Sequence, residues 1–166
     1  EIAEKVDMDY MLAGAQDWHT GTTLRLLGGE TIASTDLGAG TARPDVRLNA
    51  ATFTVGSSQT LGVLQAEAAA LVRITPGSAS TLMVGTLQID ADNGATLDVA
   101  DNALMLFSTP QTEVETLVRR ARDGGTWDAP GVTSSTPALQ ADPKVRTLAV
   151  LSGSDYLAVN GENATF

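Results

Sequence analysis

The residue types in this chain that could do chemistry are a set of carboxylates, one histidine, two tryptophans and a short hydroxyl run. Asp90-Ala-Asp92-Asn93-Gly94, followed by Asp98 and Asp101, gathers hard oxygen donors around a turn, the donor type that calcium favours. Against the helix-loop-helix calcium pattern the glycine falls one position early, and Asp101 stands where a closing bidentate Glu belongs. The same run also reads as an Asn-Gly β-turn flanked by solvated acids. Asp90, Asp92 and Asp101 are the calcium candidates, and no other cofactor is expected. His19, beside Trp18, has no second imidazole or Cys with which to build a zinc site and no partners spaced for a Ser-His-Asp triad. Glu113/Glu115 and Asp7/Asp9 are carboxylate pairs of the type that glycoside hydrolysis uses. Residues two apart on a helix do not face each other, so neither pair is a ready acid and base. Thr133-Ser134-Ser135 lacks the Gly-x-Ser-x-Gly elbow of a nucleophile and reads as loop or edge strand. No catalytic residue is expected.

Trp127 and Trp18 are the interaction candidates, because an exposed indole can stack on a sugar ring or seat a partner. Tyr10 and Tyr156 are aromatic residues of the same potential use. For Trp127, which sits between glycines and Pro130, the favoured reading is that it folds back and closes the apolar end of the core.

Composition narrows the partners. Among 166 residues, 20 acidic and 10 basic side chains leave a formal net charge of −10. A nucleic-acid or anionic-membrane surface needs a basic stripe, and the cluster Arg119, Arg120, Arg122 is too small to supply one. Nucleic acid is not an expected partner. Cysteine is absent, so disulfides and thiolate chemistry are too. No apolar run approaches the roughly 20 residues of a membrane-spanning helix, and no signal peptide is visible. The chain starts at Glu1 and reads as a segment of something longer.

These residues must be positioned by short β-elements. With 43% apolar residues but three Phe, two Tyr and two Trp, the core falls to Ala, Val and Leu, and 16 Gly suit many tight turns. Gly62-Val-Leu-Gln65 recurs at Gly85-Thr-Leu-Gln88, and Leu82-Met-Val84 recurs at Leu104-Met-Leu106. Phe53/Val55, Val72/Ile74 and Leu97/Val99 form a second series. Each triplet alternates inward and outward; the first repeats are offset by 23 and 22 residues and the second series by 19 and then 25. Recurrence at this period predicts coils that stack apolar faces on one another, with the irregularity taken up in the corners. Asn93-Gly94 and Pro76-Gly77 supply corners. The expected fold is mainly β, a short β-solenoid of about three rungs capped by one amphipathic α-helix, with a β-sandwich as the alternative.

The cap comes from a change of period. Val114, Leu117, Val118 and Ala121 make one apolar helix face over 110–123, with Thr109 as N-cap, Pro110 in the first position and Gly124 as the left-handed stop. The expected organisation is an N-terminal arm or short helix at 1–17, a β-repeat core at 18–107, and a capping helix with a C-terminal β/loop segment at 108–166.

Leu97-Asp-Val-Ala-Asp-Asn-Ala-Leu104, the helix, Gly124-Gly-Thr-Trp127, Gly131-Val-Thr-Ser-Ser135 and the closing Ser154-Asp-Tyr … Ala-Thr-Phe166 together resemble a C-terminal segment of large exported bacterial proteins of planctomycete type. Such proteins carry β-helical, autotransporter-like repeats and often continue into a dockerin-like or sorting module. The resemblance covers roughly residues 46–166; Asp128-Ala-Pro130 and Thr147-Leu-Ala-Val150 depart from the family pattern. It implies an extracellular or cell-surface setting and hands on no catalytic residue. The functional expectation is a non-catalytic structural or interaction module that assembles with its own copies or other protein subunits through its ends. Carbohydrate binding is the alternative, and a carbohydrate-active enzyme comes after it.

Overall fold

The computed structural model describes residues 6–7, 22–37, 43–142 and 146–161. Among the described residues eleven strands alternate between two parallel sheets. The even-numbered strands are β2 (Thr23–Leu27), β4 (Asp45–Asn49), β6 (Gln59–Glu67), β8 (Thr81–Ile89) and β10 (Ala103–Leu106). The odd-numbered strands are β1 (Val6–Asp7), β3 (Glu30–Ala33), β5 (Thr52–Val55), β7 (Leu71–Ile74), β9 (Thr96–Asp98) and β11 (Gly131–Thr133). Because consecutive strands go to alternate sheets and every pairing is parallel, the chain coils as a β-solenoid of about four turns. That is one turn more than the repeat suggested. An antiparallel sandwich of these strands is excluded by the same pairings.

The sequence repeats are the ladders. Leu64 and Gln65 pair Leu87 and Gln88, while Leu82-Met83-Val84 pairs Leu104-Met105-Leu106. In the other sheet Phe53 pairs Val72 and Val72 pairs Leu97. Register therefore stacks apolar side chains in columns: Leu24, Val46, Leu64 and Leu87 on one side, and Phe53, Val72, Leu97 and Val132 on the other. These columns are the core, with Phe53, Leu64 and Val72 fully buried. Each such side chain contributes about 1.5–3 kcal/mol by leaving water.

Strands β6 and β8 each bend in the middle. Along β6 the buried positions are Gln59, Leu61, Leu64 and Ala66, so two successive residues, Gly62 and Val63, face out and reset the alternation. β8 repeats the slip at Gly85 and Thr86. Glycine is required there: a Cβ on Gly85 would lie 2.5 Å from the Gly62 carbonyl oxygen. A Cβ on Gly62 would lie 2.7 Å from Asp45 Oδ1, which instead accepts from Val63 N–H at 3.0 Å.

Helix α1 (Gln111–Arg122) interrupts the last turn between β10 and β11, burying Val114, Leu117, Val118 and Ala121 as the periodicity predicts. The stack therefore resumes beyond residue 107, where the repeat core was expected to end. β10 stops at Leu106, which removes the neighbour of the second half of β8. Thr109 Oγ1 fills part of that gap by accepting from Leu87 N–H at 2.8 Å, so it does not cap the helix. Pro110 takes the cap position with extended backbone, and Asp123 rather than Gly124 is the left-handed C-cap. After β11 come α2 (Ser135–Ala138), an extended run at 146–152 and α3 (Gly153–Asn160). Of the expected N-terminal arm, Val6–Asp7 is described; it is a strand added to β3, not a helix.

Candidate functional site

The acidic candidates sit at two different corners. Asp90 precedes the 3-10 turn Ala91–Asn93 and caps it, its carboxylate accepting from Asn93 N–H at 3.2 Å and from Asn93 Nδ2 at 2.7 Å. Gly94 then closes the turn with φ +87°, a left-handed conformation that glycine adopts without steric cost. Asp92, largely exposed, pairs with Arg120 of α1. Asp101 lies at the corner after β9, where Oδ1 accepts from Gly77 N–H at 2.8 Å and thereby ties two successive corners together. Asp98 accepts from Ala100 N–H at 2.9 Å and Ser135 N–H at 2.8 Å. Each carboxylate thus satisfies a backbone or side-chain donor. Among the described residues no group of three His, Cys, Asp or Glu side chains is arranged to hold a metal ion.

Trp127 belongs to the core and is not an exposed platform, being 3% exposed. Its backbone is left-handed, with φ +60°, its N–H donates to Arg122 O at 3.2 Å, and its carbonyl accepts from Thr133 Oγ1 at 2.8 Å. Among the described residues its buried indole Nε1 meets no hydrogen-bond partner. The tight path from α1 back to β11 forces this: Gly131 packs so closely under the helix that an added Cβ would lie 2.4 Å from Leu117 O. Thr133 and Ser134 are buried too, with Ser134 Oγ donating to Ala100 O. Glu113 borders a shallow groove of about 240 Å³ with Gln65, Glu67, Gln88 and Asp90, while Glu115 accepts from Gln111 Nε2. Trp18, His19, Tyr10 and Asp9 lie outside the described residues; Asp7 lies in β1.

Two surfaces carry more than the sequence pointed to. On the outer face of the even-numbered sheet, Arg25, Arg47, Gln65 and Gln88 line up in register, and Arg47 Nη1 donates to Gln65 Oε1 at 2.8 Å. At the end of the coil, the run after Arg146 crosses the last rung and sets Leu148 and Val150 against the core. Between this run, β10 and α1 opens a mainly apolar cleft of about 700 Å³, lined among others by Leu104, Phe107, Val118, Leu151 and Tyr156. The alternation of Leu148 and Val150 was the available signal for it.

Among the described residues no helix is long and apolar enough to cross a membrane. No family model, no curated protein and no solved structure matches this chain.

Proposed function

We propose that the chain is a non-catalytic structural or interaction module of an exported or cell-surface bacterial protein, assembling with its own copies or with other subunits. The observation that carries this reading is the stack itself. Each rung is held to the next by an in-register parallel ladder, and the corners are tied by side chains such as Asp101 and Asn102. Such a coil is stiff because every rung's apolar face is covered by its neighbour. On the outside, Glu30, Thr54 and Arg73 clamp three strands, with Arg73 Nε donating to Thr54 Oγ1 at 2.9 Å and Thr54 Oγ1 donating to Glu30 Oε1 at 3.0 Å. The polar groups of the candidate site are engaged in holding turns. The net charge of −10 disfavours nucleic acid as a partner. The resemblance to exported planctomycete-type segments supports the setting.

The Arg25–Arg47–Gln65–Gln88 column favours a second reading, carbohydrate binding, because planar hydrogen-bonding groups at the strand spacing can follow an extended glycan. A panel of soluble polysaccharides separates the readings. The structural reading predicts neither retention on the panel nor release of new reducing ends. Retention abolished by Arg47→Ala with Gln88→Ala would establish the glycan module instead. Release of reducing ends that disappears on an acid-to-amide substitution would overturn both.

A further inference from the structure

We infer that a second copy of this chain docks on the C-terminal end of the coil about a two-fold axis, each α3 seated in the other copy's cleft. This rests on the assembly reading and names its interface. Leu104 and Leu106 occupy inward positions in register with the fully buried Leu82 and Val84, yet remain only partly buried. The core is therefore not closed at this end, and β10 is an edge strand of its sheet. Beside the cleft stands α3, which buries no residue in its own copy and exposes Leu157 (40%) and Val159 (74%) while Tyr156 lines the cleft. An apolar projection next to an apolar hollow is the arrangement that a two-fold axis satisfies twice at once, since each patch meets its own image.

Charge selects a second copy as the occupant. The chain carries −10, which opposes self-contact over most of its surface. Residues 146–161 are the exception: Asp155 is balanced by Arg146. Two copies can meet there without bringing like charge together. Of the exposed large apolar residues among those described, only Leu27 lies in the first rung; Phe107, Leu139, Leu151, Leu157 and Val159 belong to the last turn or to the segment C-terminal to it.

Sedimentation velocity with light scattering, from micromolar to millimolar concentration, tests this. The expected result is a monomer–dimer equilibrium that Leu157→Asp with Val159→Asp weakens roughly ten-fold or more, with an unchanged thermal melt because neither side chain is buried. Leu27→Asp, at the other end, leaves the equilibrium unaltered. Mass growth that persists in the double variant would overturn the interface and leave the assembly reading standing. A monomer throughout would overturn the interface and self-assembly, leaving of the assembly reading only the part that takes other subunits. Uptake of dodecanoate by a monomer, lost in Phe107→Asp, would give the cleft to an apolar ligand and overturn the inference as well.

Discussion

Gln59 is fully buried at the start of β6, in register with Leu82, and its amide is spent on the chain that precedes it. Oε1 accepts from Leu37 N–H at 2.8 Å and Nε2 donates to Thr35 O at 2.6 Å. Replacing it with leucine keeps the volume but strands a buried amide, so Gln59→Leu is expected to lower unfolding free energy by about 1–3 kcal/mol in urea titration. The left-handed residues make a different case. Asn93-Gly94 and Pro76-Gly77 were legible as corners because glycine announces a positive φ. Ala50, Ala68, Ala69, Ala79 and Ala100 adopt the same conformation without announcing it, since the rung spacing and not the residue type imposes it. Ala50 is exposed, so Ala50→Gly relieves strain with no packing loss and is expected to raise stability by up to about 1 kcal/mol. The acidic candidates Asp90, Asp92 and Asp101 show the limit of reading residues by type. Their spacing is compatible with a cation loop, but Asp101 lies at a different corner from Asp90 and Asp92, and each carboxylate has its own donor.

Elements were most legible where periodicity alone decides them. The four buried positions of α1 follow from spacing, and so do the triplets that became ladders. The helix start was not legible, because it depends on a hydrogen-bond vacancy in β8 that only the fold creates. There Thr109 serves Leu87, and Pro110 becomes the cap. The bend shared by β6 and β8 was half visible: the recurrence of Gly62 at Gly85 was plain, its reason was not. That reason is contact between rungs, so Gly85→Ala is expected to cost about 1–3 kcal/mol through displacement of the Gly62 carbonyl, read as a lowered denaturation midpoint. The Arg120–Asp92 pair joins α1 to a corner through exposed side chains. Arg120→Ala is expected to change stability by less than about 1 kcal/mol and to lose that effect in high salt.

At the scale of the molecule, the repeat implies fewer turns than the coil has because recognisable repetition spans only residues 53–106. The first turns pair just as regularly, Leu24 with Val46 and Thr31 with Phe53, but with residues too dissimilar to be seen as copies. The C-terminal surface was also hidden, since its apolar residues are distributed over a short helix, an extended run and a rung, and only tertiary packing brings them to one cleft. The strand pairings among the described residues are all non-local and parallel, a topology that folds slowly and, once closed, opens as a cooperative stack. Residue-resolved hydrogen exchange tests that central claim most directly. The predicted result is one block of comparable protection running through β4 to β9 and including the buried face of α1, with rapid exchange over 146–161. Fast exchange in the inner rungs while the outer ones stay protected would contradict a stacked coil.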